Sequence, residues 1–539
     1  MQEKPILKKK IYLYLTEFFS GMAVMAVELG ASRLLAPFFS SSQIVWTIII
    51  GTIMIAMALG NIYGGRSADK DPDPDRLYKR MLIAAIWIAA IPVLGKYIVL
   101  GISAVVVFSV NTNFLIWAAF IACMIIFVFP LFLLGTVTPS LARYTVSRVD
   151  ESGKVVGTLG AFNTIGSIIG TFLPTFVTIP AVGTAVSFLL FSGVLLVLAV
   201  IYFLSCRTGY KKCIVSMIIF AVCSIIGSGG RLAFWENNIR YEGESVYNYL
   251  QVKDTDAHVI LSTNVLFGVQ SLLVKDDSAL TGMYYDYAMA APFMSGVREK
   301  ENLDVLILGM GSGTYATQCG RFFDNISVKG VEIDEKITDL AYEYFELPED
   351  TDVVTYDGRA YLNSADELYN VIMVDAYQDI TIPFQMSSVE FFTLVKEHLK
   401  EDGVMVINMN MRGSGEGNIN EYLSDTVGKV FPNIYTVDVA GSTNRELFAS
   451  VKDDAFDRGL ENARMTAGLS RKERSLSEWI EGIYPEMVRY EPGDRVLTDD
   501  KAPVELLGMS VIDDIIGEEV AYYKQIYKEQ GLKGLLENF

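Results

Sequence analysis

The stretch DVLILGMGSGTYATQCGRFFDNISVKGVEID, Asp304 to Asp334, decides the fold class. The apolar run Val305 to Leu308 breaks into Gly309, Gly311 and Gly313, and a second strand-like run follows, ending in Glu332 and Asp334. The pattern reads as strand, glycine turn, helix and strand, with an acid closing the second strand. Glycines let the backbone approach a ligand where a Cβ would collide, and the helix start offers unpaired N–H groups. A carboxylate at the end of the second strand can accept both hydroxyls of a ribose, so a nucleoside cofactor is expected.

Two later segments extend the pattern. Tyr356-Asp357-Gly358 follows a third strand-like run and can present a carboxylate to an adenine amino group. VIMVDAYQD, residues 371 to 379, reads as a buried strand that delivers Asp375 at its carboxyl end, where open parallel sheets bind ligands. Three acid-tipped strands favour a fold of the S-adenosylmethionine type over a dinucleotide one.

The chain has 539 residues, 51% of them hydrophobic, which points to a membrane part joined to a globular part. Charge divides the same way. Residues 1–230 carry 17 Lys and Arg against 9 Asp and Glu, and residues 231–539 carry 27 against 54. So acidic a domain is unsuited to nucleic acid phosphates and better matched to a cationic ligand, although the same charge also keeps a solvated surface soluble. Five cysteines, mostly in apolar segments, and two distant histidines, His258 and His398, make neither a disulfide framework nor a metal site nor a Ser-His-Asp triad.

About seven apolar segments lie in the first 230 residues: 11–34, 43–64, 81–103, 114–138, 155–178, 183–205 and 212–229. Their continuation far past any processing site argues against a cleavable signal peptide. Basic residues gather before the first span, at Lys8 to Lys10, and after the second, fourth and sixth. That places the N-terminus and those loops in the cytoplasm. Seven full spans would carry the acidic domain outside the cell, whereas its cofactor chemistry favours the cytoplasm; either 213–229 is re-entrant or interfacial, or another span is miscounted, or the domain faces outward. Glu17 and Glu28 share one helix face at membrane depth and read either as a cation path or as partners of Arg33. Gly60 with Gly64 and Gly166 with Gly170 mark close helix contacts.

Tyr241 to Phe293 reads as antiparallel hairpins, a β-lid over the site. The expected organisation is a transmembrane domain over 1–230, a β-lid and substrate subdomain over 231–295, a Rossmann-like domain over 296–452 and a helical extension over 453–539. The expected fold class is a multi-span α-helical membrane domain followed by an α/β Rossmann-like domain of the S-adenosylmethionine-methyltransferase type, with a small N-terminal β-hairpin lid.

In order along the chain, ESVYNYLQV, VQSLL, the YYD step, LILGMGSG, VEID, DGRAYL and VIMVDAY form a set that resembles the polyamine aminopropyltransferases, the spermidine and spermine synthases. ELGASRLLAP, GNIYGGRSAD and LTDDKAPVE resemble that family's membrane-fused branch, whose front half is similar to part of a major-facilitator transporter. The resemblance implies transfer of an aminopropyl group from decarboxylated S-adenosylmethionine, a co-substrate and not a permanently bound cofactor, to an amine acceptor. It implies Asp375 as the general base, Glu332 on the ribose, Asp357 with Gly358 at the adenine, and Gln270 and Asn248 on the nucleoside or its tail. The loop Gly309, Gly311, Ser312 and Gly313 would cradle the donor. Tyr284, Tyr285 and Asp286, with Tyr377, Gln378 and Asp379, would face the acceptor. No metal is implied; homodimers are the family's habit.

Three positions depart from the family pattern. Ser312 stands where an Asp is common, Gln378 where a second Asp follows the catalytic one, and Tyr284-Tyr285-Asp286 where the family carries Tyr-His-Glu. An acceptor other than putrescine is therefore expected. Two other readings compete: a methyltransferase using ordinary S-adenosylmethionine on a substrate near the membrane, and a polyamine transporter or sensor whose soluble domain binds without chemistry.

Overall fold

The computed structural model describes residues 6, 9–110, 113–145, 152–265, 268–349, 351–377, 382–410, 412 and 415–538. The chain forms two compact units: Met1–Asn237 with Glu242–Tyr249 and Asn264–Leu266, and Asn238–Tyr241 with Leu250–Thr263 and Phe267–Phe539.

The first unit is built of apolar helices. Among the described residues five are long and apolar enough to cross a membrane: Lys10–Phe39, Gln43–Lys70, Pro74–Val107, Ser152–Ser205 and Tyr210–Gly227; a bent pair, Phe114–Ile126 with Val128–Thr145, makes six if counted as one span. The bend has a local cause. Pro130 has no N–H to return to the Ile126 carbonyl, which instead accepts the Trp87 indole N–H at 2.9 Å. Ser152–Ser205 contains both expected segments 155–178 and 183–205; its 54 residues would run about 80 Å if straight. A π-helical turn at Pro174–Thr178 and the positive φ of Gly183, 80°, interrupt it.

The paired glycines sit at close helix crossings. A Cβ on Gly166 or Gly170 would collide with the backbone of Phe18 or Met22, and one on Gly60 with the Phe132 carbonyl. Glu17 is fully buried, and its Oε1 accepts bonds from Thr138 Oγ1 at 2.5 Å and Asn163 Nδ2 at 2.8 Å. Arg33 donates to the Val246 carbonyl. Met54, Phe172, Phe176 and Ile225 stand exposed on the outer helix faces.

Among the described residues the chain beyond these helices forms two sheets. The smaller has strands β1 (Ile239–Glu244), β2 (Tyr249–Asp254), β3 (His258–Ser262) and β4 (Ser271–Val274) in that order, with β2 and β3, then β3 and β4, paired antiparallel. The larger contains β5 (Leu303–Leu308), β6 (Ile326–Glu332), β7 (Asp352–Thr355), β8 (Tyr369–Val374), β9 (Leu399–Met409), β10 (Asn433–Asp438), β11 (Arg445–Ser450) and β12 (Val488–Arg489). Its order is β12-β10-β11-β9-β8-β5-β6-β7, parallel from β7 through β9 and antiparallel beyond.

The chain runs outward from β5 to β7 and then crosses back to place β8 on the other side of β5, so the switch point lies between β5 and β8. Both faces of the sheet are covered. Val371 and Met373 enter one core while Ile372 and Val374 enter the other, which explains why β8 reads as a continuous apolar run.

The hairpins expected through Phe293 end at Val274. Tyr284–Ala288 and Ala290–Met294 are short helices instead, every residue buried. YYDYAMAAPFM contains no β-branched residue and is rich in Ala and Met, so it favours helix over strand. Beyond the sheet come helices Ala455–Arg464, Arg471–Ile483 and Val504–Asn538, the second opened by a Ser470/Glu473 capping box.

Candidate active site

The glycine turn sits at the carboxyl end of β5. Gly309 has a φ of 82°, and a Cβ there would lie 2.6 Å from Ala376 Cα and 2.7 Å from the Asp375 carbonyl oxygen. The turn can therefore lie against the end of β8 only as glycine. Gly311, φ 58°, donates its N–H to Glu332 Oε2 at 2.8 Å. Ser312 donates its N–H to Ser271 Oγ at 3.1 Å, while its own buried Oγ has no partner among the described residues. Gly313 precedes the helix Thr314–Phe322, and Thr314 Oγ1 exchanges bonds with the Leu272 N–H and carbonyl, both at 3.0 Å. The smaller sheet is thereby fastened to the turn through β4.

Glu332 ends β6 almost fully buried. Its Oε1 accepts from the Asp334 N–H at 3.0 Å, so two backbone donors fix the carboxylate. Burial pushes its pKa up to about 6, against the lowering effect of those bonds. Asp357 caps the helix Gly358–Ser364, with Oδ1 accepting from the Ala360 N–H at 2.8 Å. A Cβ on Gly358 would come 3.3 Å from Met386 Cε.

Asp375 follows β8. Its Oδ2 accepts from the Tyr284 hydroxyl at 2.7 Å and its Oδ1 from Asn408 Nδ2 at 2.9 Å. Burial pushes its pKa up to about 7, opposed by the bonds from Asn408 and Tyr284 and assisted by the negative charge of Glu332. A carboxyl with a pKa near 7, held between two donors, suits proton transfer at physiological pH.

The neighbouring aromatic groups fix this arrangement. Tyr284 and Tyr285 lie 4.0 Å apart between ring centroids, and the Tyr285 hydroxyl donates to the Gln270 carbonyl at 3.0 Å. Tyr377 donates to the Asn408 carbonyl and accepts the Asn410 N–H at 3.1 Å, securing the end of β9 that carries Asn408. Asp286 has a different task. Its carboxylate accepts from the Thr281 N–H and Oγ1 and the Gly282 N–H at 2.7–2.9 Å, closing the loop before the helix Tyr284–Ala288.

Asn248 lies in Glu242–Tyr249, which belongs to the helical unit; its N–H binds Ser245 Oγ at 2.9 Å. Gln378 and Asp379 lie outside the described residues. His398 is held between the Leu394 and Ala365 carbonyls at 2.8 and 3.0 Å. Among the described residues no group of three or more His, Cys, Asp or Glu could hold a metal ion.

Sequence reading passed over Ser271, Asn408 and Glu446. The last two interrupt otherwise apolar strands on the face that carries Val406 and Phe448. A polar residue at an inward position of a buried strand was the available signal.

Residues 285–440 match the Spermine/spermidine synthase domain family. A probable polyamine aminopropyl transferase of Bifidobacterium longum is 52% identical over 348 residues, covering 62% of this chain and 77% of its own. The chain belongs to the polyamine aminopropyltransferase family. A more distant family relative, the polyamine aminopropyltransferase of Vibrio vulnificus, is 24% identical over 306 residues, 54% of this chain and 98% of its own. Among solved structures, a probable spermidine synthase from Corynebacterium glutamicum aligns at a TM-score of 0.37 and 17% identity, over 48% of this chain and 99% of its own. By its membership of that family the chain is a transferase of the spermidine-synthase type, and the family's co-substrate is decarboxylated S-adenosylmethionine.

Proposed function

We propose that this aminopropyltransferase is membrane-bound and moves an aminopropyl group from decarboxylated S-adenosylmethionine to an amine by direct displacement, with Asp375 as the base. The observation that carries the reading is the Asp375 carboxyl itself, held by Tyr284 and Asn408 with its pKa pushed up to about 7. In this reading the turn Gly309 to Gly313 cradles the donor, Glu332 takes the ribose hydroxyls, and Asp357 and Gly358 border the adenine. Gln270 lies at the tail.

An alkylammonium with a pKa near 10.4 has no lone pair to give at neutral pH. Asp375 accepts its proton, the freed nitrogen attacks the methylene carbon next to the sulfonium, and the carbon–sulfur bond breaks as the carbon–nitrogen bond forms. The bonding pair stays on sulfur, leaving neutral methylthioadenosine. Because the sulfonium is a good leaving group, alignment of nitrogen and carbon supplies most of the remaining acceleration.

Donor choice follows from charge. Ordinary S-adenosylmethionine carries a further carboxylate, which the negative charge of Asp375 and its neighbours would repel, and among the described residues no Lys or Arg acts on Asp375 or Glu446. Full-length protein should bind the decarboxylated donor at least tenfold more tightly in calorimetry, and Asp375→Asn should lose turnover while keeping donor binding. Equal binding of both donors, or retained turnover, would sink the reading. Membrane attachment rests on the five long apolar helices and their exposed Met54, Phe172, Phe176 and Ile225. We place the soluble unit in the cytoplasm, where its donor is made.

A further inference from the structure

Glu17 is a buried acid that the transfer reaction does not use. It lies in the first unit, on Lys10–Phe39, one of the long apolar helices. Its exposure is 0%. Oε1 accepts from Thr138 Oγ1 at 2.5 Å and Asn163 Nδ2 at 2.8 Å, whereas the buried Oε2 has no hydrogen-bond partner among the described residues.

The sequence leaves two roles for Glu17 and Glu28, as partners of Arg33 or as a cation path. The first does not hold. Arg33 donates to the Val246 carbonyl and acts on Glu244, and among the described residues no Lys, Arg or His acts on either Glu17 or Glu28. A carboxylate inside an apolar helix unit is costly to hold unless a positive charge answers it.

Three helices meet at Glu17: its own, Val137–Thr145 carrying Thr138, and Ser152–Leu173 carrying Asn163. Gly21, one turn on, lets the third come close, since a Cβ there would lie 2.5 Å from the Asn163 carbonyl oxygen and 3.0 Å from Ser167 Oγ. Thr138 and Asn163 are themselves only half-buried, so the carboxylate sits one side chain in from the surface of the unit. Its two neutral donors fix Oε1 and aim the bare Oε2.

The bare atom selects the ligand. A metal ion needs several oxygens and finds one, because the carbonyls of these helices are engaged in their own ladders, and among the described residues no group of three acids, His or Cys gathers here. An ammonium group needs a single charged acceptor, and its alkyl stem suits apolar surroundings.

We propose that Glu17 is a binding site for a protonated alkylamine, built from the first unit alone, through which that unit carries amines across the bilayer. Glu28, half-buried on the same helix face about three turns on, offers a second carboxylate along the way. The cargo is of the same chemical class as the amines that the transfer reaction consumes and releases.

This inference rests on the reading of the first unit as membrane-spanning. Its test is uptake of labelled putrescine by liposomes holding full-length protein, wild type against Glu17→Gln and Glu17→Asp. Glu17→Gln keeps the shape but not the charge and should cut uptake about tenfold or more, while Glu17→Asp should retain part of it. Methylthioadenosine release by the same proteins in detergent should be unchanged. Undiminished uptake in Glu17→Gln, no wild-type uptake above protein-free liposomes, or parallel loss of uptake and release would overturn the proposal, the last by giving Glu17 a structural role. Glu17-dependent entry of labelled sodium or of protons in place of putrescine would overturn the choice of ligand. Wild-type protein that stays dissolved without detergent and does not enter liposomes would instead refute the membrane reading.

Discussion

Replacing Tyr284 by Phe isolates the effect of one hydrogen bond on the proposed base. The ring and its packing on Tyr285 remain, and only the hydroxyl 2.7 Å from Asp375 Oδ2 is lost. That bond stabilises the ionised form, so its loss raises the Asp375 pKa. A hydrogen bond to a charged group contributes about 1.5–3 kcal/mol, and one pKa unit corresponds to about 1.4 kcal/mol, giving an upward shift of roughly one to two units. The starting value is about 7. Activity that needs ionised Asp375 grows as pH rises through its pKa, so the acid limb of kcat/KM should move to roughly pH 8–9. At pH 7 the ionised fraction drops from about one half to between about a tenth and a hundredth, so kcat/KM should fall about 5- to 50-fold and recover near pH 9. The assay is methylthioadenosine release across pH 5.5–9.5 at saturating donor, wild type against Tyr284→Phe. An acid limb that stays in place or moves down would refute Asp375 as a base tuned by Tyr284; an equal loss at every pH would give the hydroxyl a role other than tuning.

Two further substitutions separate donor binding from architecture. Gly311→Ala forces a side chain into a φ of 58° with its Cβ 2.6 Å from Ser271 Oγ, and it disturbs the N–H bonded to Glu332. Donor binding, followed by calorimetry, should weaken at least tenfold, and unchanged affinity would mean the turn does not approach the ligand. Asp286→Asn retains size but loses acceptor strength toward Thr281 and Gly282, so it should lower the melting temperature by several degrees and leave acceptor KM within about twofold. A large KM change with unaltered stability would instead return Asp286 to the acceptor.

How much of this was legible in the sequence depends on how local each feature is. The strands β5, β6 and β8 and the acids at their ends were readable because chain order and spatial order coincide there. A glycine turn, a helix and an acid-ended strand are all written within thirty residues. The helices at Tyr284–Ala288 and Ala290–Met294 were misread as strand because tyrosines next to a β-rich lid carry a strand signal. The composition of the following AMAAPFM favours helix. The bend at Pro130 was missed for a similar reason: hydropathy reports length and apolarity, not the carbonyl left for Trp87. The 54-residue run Ser152–Ser205 shows the converse, since hydropathy separates two segments that the backbone joins through Pro174–Thr178.

The proposed donor half and acceptor half of the site differ in the same respect. Gly309, Gly311, Glu332 and Asp357 act through the backbone, whose conformation leaves marks on sequence: glycines at positive φ and a carboxylate that caps a helix. The proposed acceptor side is assembled from β8, β9 and β11, whose neighbour relations follow from crossovers and an antiparallel return between residues 375 and 446. Asn408 and Glu446 acquire meaning only when that return is known, because each is one polar residue in an apolar strand until the ladder puts them side by side. This asymmetry has a functional counterpart. The donor-side geometry is fixed by backbone bonds that few substitutions could preserve, whereas the acceptor side is a set of side chains at strand ends, each replaceable without breaking the sheet. A change of amine specificity is therefore expected to act through side chains at these strand ends, with the nucleoside cradle kept intact.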